Sequence, residues 1–294
     1  MRWQLAAIGA AILVFIINAA PFNIQNIGTK VIYGDDDRKN LYEVDDANLR
    51  QQADSTVALF RNNRLQDMGT YTKLMTSPFG TGMNLCPNEP FYTEENGAFC
   101  SGFLIAPDLV VSAGHCIANQ ATCDQVKFVF GFNIKNAGEN PQTVSNSEVY
   151  SCKQLIFSTV VSDGEDFSIS RLDRPVVGHA PLQMRLQGSP KASDPLVVMG
   201  HPSGLPLKIS GGASVREVKA QHLVANLDTY GGNSGSAVFN GSTGEIEGVL
   251  VRGEADYIWQ NNCRASNRCS NTGCRGEDVT LIKQVLAHIP ATMF

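Results

Sequence analysis

The chain has 294 residues, enough for one large domain or two small ones, and its 43% hydrophobic against 17% charged residues allow a sizeable core. A formal net charge of −5 speaks against nucleic acid as the main partner, because phosphate binding needs a basic surface. The same balance excludes no protein or peptide substrate.

The opening stretch MRWQLAAIGAAILVFIINAAPFN sets one cation, Arg2, before an apolar run at residues 5–17 and then small residues. That is the layout of a secretory signal. The run is short for a membrane-spanning helix, which needs about 20 apolar residues. Residues 1–20 are therefore read as a signal peptide. Asn18, Ala19 and Ala20 make a poor cleavage site in front of Pro21, so the competing reading is an uncleaved anchor, and membrane contact is expected only in that case. Either way the body of the protein leaves the cytoplasm and is secreted or periplasmic.

Residues 21–55 read as a polar N-terminal arm or pro-segment. Their acidic run GDDDRKN lacks the ligand spacing of a calcium loop, and a solvated stretch fits it better. From Thr56 onward the chain alternates short strands and turns. CSGFLIAPDLVVSAGHC is a hairpin with its turn at Ala106, Pro107 and Asp108. QVKFVFGF alternates Val126, Phe128, Phe130 and Phe132 with the period of a half-buried strand. Residues 172–183 form the best internal boundary, dividing a unit at 56–172 from one at 173–294. PLVVMGHP is a further strand, and SAVFNGSTGEIEGVLVRG a second hairpin with its turn at 240–244. Many short strands and few helices indicate an all-β barrel or sandwich. The exception is EDVTLIKQVLAHIP, where Val279, Ile282, Val285, Leu286 and Ile289 share one helical face, Asp278 stands as N-cap and Pro290 stops the helix.

The eight cysteines are Cys86, Cys100, Cys116, Cys123, Cys152, Cys263, Cys269 and Cys274. An even number in an exported chain indicates disulfides. No CxxC pair or Cys/His cluster has zinc spacing, so neither a structural metal nor a cofactor is expected.

Acyl transfer needs a nucleophile, a base, a group that orients the base and an oxyanion hole. Of the five histidines, His179 lies in the linker, His201 in a turn, His222 in a polar stretch and His288 on the terminal helix. Only His115 ends an apolar strand in a turn of small residues, SAGHC, where Cys116 can staple back to Cys100. Asp166 heads the half-buried strand DFSISRL, a place for an orienting carboxylate; its bland reading is a strand-end cap. In GGNSGSAVF, Gly232 and Gly235 let the chain turn so that the amides of Gly232 and Ser234 point to one spot beside the Ser234 hydroxyl. Alone this is a glycine-rich turn.

Together SAGHC, DFSISRL and GGNSGSAVF resemble the three catalytic motifs of chymotrypsin-like (trypsin-fold) serine proteases, over roughly residues 56–290. GNSGS resembles the bacterial trypsin-like and glutamyl-endopeptidase-like branch. The resemblance implies an all-β fold of two six-stranded antiparallel β-barrels with a C-terminal α-helix. The active site would lie between the barrels, with His115 as base, Asp166 holding its tautomer, Ser234 as nucleophile and a Cys100–Cys116 disulfide. It implies an exported endopeptidase acting on protein or peptide substrates, a monomer without cofactor.

Two departures bear on mechanism. Asn233 stands where digestive relatives carry an aspartate that pairs with a new N-terminal amine, so activation through that ion pair is not expected. Asp228, six residues before Ser234, falls at the base of the family's specificity pocket, and Gly253 where the pocket wall meets the substrate backbone. With Leu250 at the glutamyl branch's histidine position, the reading is Arg or Lys at P1. Its rival is an Asp228 tied up in structural hydrogen bonds. Arg252 stands where relatives carry an aromatic residue, and reads either as a selector for acidic substrate residues or as an exposed side chain. The six cysteines outside the Cys100–Cys116 pair allow 15 connectivities. Cys123 with Cys152 is one candidate pair, and Cys86 with one of Cys263, Cys269 and Cys274 another. The alternative function is a decayed binding or adhesion module. An esterase is disfavoured by the order His, Asp, Ser and by the placing of the glycines.

Overall fold

The structure is a computed structural model that describes residues 31–289. The signal or anchor at 1–20 and the Pro290 helix stop lie outside the described residues. The first barrel comprises β1 (Thr56–Arg61), β2 (Cys100–Ala106), β3 (Leu109–Ser112), β4 (Val126–Val129), β5 (Val149–Val160) and β6 (Asp166–Leu172), closed in the order β4-β5-β6-β3-β2-β1. The second comprises β7 (Pro195–Gly200), β8 (Lys208–Val218), β9 (His222–Ala225), β10 (Ala237–Asn240), β11 (Ile246–Arg252) and β12 (Glu277–Leu281). It runs β7-β10-β11-β12-β9-β8 and closes through β7–β8. All the barrel pairings are antiparallel. Closure removes the unpaired edges that an open sheet would expose.

The β2–β3 and β10–β11 hairpins fall where the alternation placed them. One apolar cluster runs from Phe103, Val111, Phe128 and Phe167 of the first barrel into Met199, Phe239 and Val249 of the second. A second cluster fills the other barrel around Leu196, Leu223, Leu250 and Val279. The four disulfides are Cys86–Cys263, Cys100–Cys116, Cys123–Cys152 and Cys269–Cys274.

The C-terminal helix is shorter than its apolar period predicts. It spans Ile282–Leu286, and Asp278 lies within a strand rather than at an N-cap. All five β12 residues are buried between β9 and β11, and Val279 of this short strand also falls in phase with the helical face of Ile282, Leu286 and Ile289. Among the described residues no helix is long and apolar enough to cross a membrane.

The solvated reading of the GDDDRKN region is also corrected. Ile32–Tyr33 pairs in parallel with Arg268–Cys269, and Arg38–Asn40 adds a strand to β8. The Arg38 guanidinium is buried, pairs with Asp36 at 2.7 Å, and lies 4.2 Å from the Tyr230 ring centre and 5.1 Å from that of Phe91. The buried Lys208 ammonium donates to Asn40 Oδ1 and Glu94 Oε2, each at 2.7 Å, and to the Pro206 carbonyl. Burial pushes this ammonium down to about 8, against the pull of Glu94. Breaking one side of a buried pair leaves an uncompensated charge. Glu94→Gln is therefore expected to cost about 3–5 kcal/mol in urea unfolding, with Lys208→Met in the same chain recovering part of it. An unchanged midpoint in Glu94→Gln would show the pair to be idle.

His179 in the linker ties the arm to the first barrel. Its Nε2 lies 2.7 Å from Glu148 Oε2 and its Nδ1 3.3 Å from Asp54 Oδ2, with the ring stacked on Phe130. Burial alone would push the imidazole down, but the two carboxylates outweigh it and raise its pKa from 6.5 to about 9. A raised folded-state value stabilises fully below the unfolded value, and that stabilisation is lost as pH rises. Stability should thus fall from about pH 6.5 to 9, and His179→Ala should flatten that slope in denaturant titrations across the range.

Candidate active site

The site forms at the seam of the two barrels. The β3–β6 ladder pairs Ser112 with Ser168, which brings the start of β6 alongside the 113–116 turn. Asp166, heading β6, therefore reaches His115. Its Oδ2 lies 2.8 Å from His115 Nδ1, and its Oδ1 accepts the His115 backbone amide at 3.1 Å. The side chain of Asp166 is 3% exposed. A carboxylate so dry needs donors, and the two from His115 fix both the ring and the turn that carries it. With Nδ1–H pointing at Asp166, the lone pair of Nε2 is left free to act as a base.

The loop bearing Ser234 is held by the first barrel. Ser101 in β2 donates its amide to the Ser234 carbonyl at 2.9 Å and its hydroxyl to the Gly232 carbonyl at 2.8 Å. The Ser101 hydroxyl also accepts the His201 amide. Gly232 and Gly235 have φ of +95° and +91°. A Cβ at Gly232 would fall 2.7 Å from the His201 carbonyl, so the glycine is required by the packing behind the loop and not only by room for a substrate. Among the described residues neither the Gly232 nor the Ser234 amide donates to a protein acceptor. Gly231, next to them, is anchored through its amide to Asp256 Oδ2 at 2.9 Å. His115 and Ser234 line one cleft of about 210 Å³ with Arg61, Phe99, Gly231 and Gly232. Sulfur atoms of Cys100 and Cys116 lie near His115, but they are bonded to each other and offer no metal ligand.

Asn233 is buried, and its Oδ1 accepts the Ser236 hydroxyl at 3.3 Å. Leu250 is in the core of the second barrel. Asp228 is held differently from the pocket reading. Its Oδ1 accepts the Tyr33 amide at 2.6 Å and its Oδ2 the Asp37 amide at 3.2 Å, so the N-terminal segment caps both oxygens. Burial pushes the carboxyl up to about 7, with Asp37 and Asp36 adding to the rise.

A second carboxylate lies near Asp228. Glu277, heading β12, is fully buried and accepts the hydroxyl of Thr229 at 3.1 Å and the amide of Glu254 at 3.3 Å. A Cβ on Gly253 would lie 1.9 Å from its Oε2, so the carboxylate sits directly against that glycine. Reading Asp278 as the N-cap of a helix left Glu277 outside any element, and a buried charge there stands out only once the strand Glu277–Leu281 is recognised. Ser101 was missed for a different reason, since its partners are far away in sequence, and Arg252, read as a selector for acidic residues or as an exposed side chain, lies instead 3.6 Å from Asp166 Oδ2 with its side chain 19% exposed.

The sequence profile described as "Trypsin-like peptidase domain" matches residues 100–249, which hold His115, Asp166 and Ser234. The chain belongs to the trypsin-like peptidase family. Human chymotrypsin-like elastase family member 3A is 32% identical over 122 residues, covering 40% of this chain and 42% of that protein. Bovine proproteinase E is likewise 32% identical, with 45% of its length covered. The chain thus spans less than half the length of these curated relatives. Among solved structures, a Glu endopeptidase in complex with MPD superposes with a TM-score of 0.50 at 18% identity, covering 85% of this chain and 93% of that one. An inactive serine-to-alanine form of Rv3671c from Mycobacterium tuberculosis gives 0.50 at 14% identity, covering 90% and 97%. These two likenesses concern the fold alone.

In this trypsin-like peptidase, Asp228→Asn leaves one oxygen to serve two amides and turns an NH2 group toward the other. We expect a loss of about 1–3 kcal/mol, with faster hydrogen exchange at the Tyr33 and Asp37 amides. Unchanged exchange at both amides would show that Asp228 does not hold the segment.

Proposed function

We propose that the protein is an exported serine endopeptidase that works through Ser234, His115 and Asp166. The observation that carries this reading is the 2.8 Å contact between His115 Nδ1 and a buried Asp166 carboxylate, in a ring that shares its cleft with Ser234. The Ser234 hydroxyl attacks the scissile carbonyl while His115 Nε2 takes its proton. The amides of Gly232 and Ser234 receive the oxyanion, where a single lost donor typically costs ~10²–10³ in rate. The imidazolium, held by Asp166, then protonates the leaving amine, and water releases the acyl group by the same steps in reverse. Four disulfides fit an oxidising compartment, hence secretion or the periplasm. The decayed binding module is disfavoured by the retention of all three side chains and of two amide donors beside Ser234.

For P1 the reading remains Arg or Lys. Two carboxylates, Asp228 and Glu277, flank Thr229 five residues before the nucleophile, and an anionic pocket base favours a cation. Asp228 is capped by the Tyr33 and Asp37 amides and pushed toward neutrality, which weakens its own share of that preference.

A fluorophosphonate probe should label the wild type at Ser234 and not Ser234→Ala. Asp166→Asn should lower kcat by ~10⁴, since the wrong imidazole tautomer then faces Ser234. Absence of labelling in folded, processed wild type would sink the enzyme reading. A peptide library that shows cleavage after Glu or small residues and none after Arg or Lys would overturn the P1 reading alone.

A further inference from the structure

Arg252 ends β11 and turns inward rather than into solvent. Its Nη1 lies 3.6 Å from Asp166 Oδ2, the same oxygen that faces His115 Nδ1 at 2.8 Å. Nη1 also donates to the Val161 carbonyl at 3.1 Å and Nη2 to the Gly164 carbonyl at 2.8 Å. These carbonyls belong to the turn that leads into Asp166. One side chain of the second barrel thus straps the loop of the first barrel that carries the orienting carboxylate. Its Nε lies 3.4 Å from Asp278 Oδ2, but Asp278 already has Arg275 at 2.5 Å. Asp166 has no cation other than Arg252 and the imidazolium that catalysis creates, among the described ion pairs.

We propose that Arg252 is a positioning residue for the hydrolysis, holding Asp166 in register with His115 and setting the pH range over which His115 serves as base. This rests on the roles given above to His115, Asp166 and Ser234. The chemistry follows from two cations sharing one carboxylate oxygen. The guanidinium is always charged, so it competes with an imidazolium at His115 for the same carboxylate oxygen, and losing it changes the field in which the ring takes up a proton. The surrounding charges do not duplicate it. Asp278 and Arg275 pair with each other. His222 on β9 lies 3.9 Å from Asp278, with its imidazole pushed down by burial against the pull of that carboxylate. Asp163 and Glu165 in the turn and Lys219 beyond β8 lie outside the Asp166 contacts, and Arg61 stands on the other side of the cleft, over the Phe99 ring.

The test compares wild type, Arg252→Gln and Arg252→Lys by kcat/KM against pH on one peptide substrate. Removing the cation should move the acid limb of Arg252→Gln upward by ~0.5–1 pH unit, while Arg252→Lys stays near wild type. A purely structural role would lower the plateau without moving the limb, and a limb in Arg252→Gln superimposable on wild type overturns the proposal. The His115 ring titration, followed by NMR in Ser234→Ala with and without Arg252→Gln, reads the same shift without turnover. An unlabelled wild type would defeat the protease reading, yet that titration would still decide for or against Arg252. Should Arg252→Gln fail to fold, the folded Arg252→Met read in the same way decides: an acid limb moved upward supports the proposal and a limb superimposable on wild type overturns it.

Discussion

Asp166 is a carboxylate almost sealed from water at the junction of two closed barrels, and the site's geometry follows from satisfying it. A buried anion is tolerated only with donors around it. His115 supplies two of these, one from its backbone and one from its ring. Arg252 supplies charge from the other barrel, and Thr280 contributes a hydroxyl that accepts the Asp166 amide at 3.2 Å. These partners, His115, Arg252 and Thr280, come from three separate stretches of chain. The need of one carboxylate therefore sets the orientation of an imidazole, the position of a loop and the approach of the second barrel.

The same rule organises the N-terminal segment. Residues 31–40 carry three acids followed by two bases that look solvated in sequence, yet the buried charges there are partnered, some locally and some across the fold. Asp36 takes Arg38, Asp37 accepts the Ser210 hydroxyl, and Asp228 takes two backbone amides of the segment. Lys208 is bound from Asn40 and Glu94. The segment is in this way part of the second barrel's surface and part of the floor behind the nucleophile loop. Ser101 does the equivalent on the opposite side, with one residue gripping both the Gly232 and the Ser234 carbonyls. The loop that carries Ser234 is thus clamped from the first barrel by the amide and the hydroxyl of Ser101.

The hairpins at 100–112 and 237–252 were legible because alternation and turn chemistry are local. The three short motifs each had a bland reading alone and became legible through their joint resemblance to a known family. The terminal helix was overextended because Val279 falls in phase with Ile282, Leu286 and Ile289 on a helical face, while the polar residues of β12 find their partners only across the fold. That misreading left Glu277 unremarked and made an N-cap of Asp278, two buried acids on adjacent positions of the strand.

The sequence by itself determined the all-β character, the order of His115, Asp166 and Ser234, the glycines around the nucleophile and the need for disulfides. These depend on residue type and short spacing. Only the tertiary structure decided what Asp228 binds, where Arg252 points and that Glu277 lies against Gly253. Side-chain charges choose partners by proximity after the barrels close, and Tyr33 and Asp228 stand 195 residues apart before they meet. A carboxylate's partners are read from space, whereas a strand's period is read from the chain.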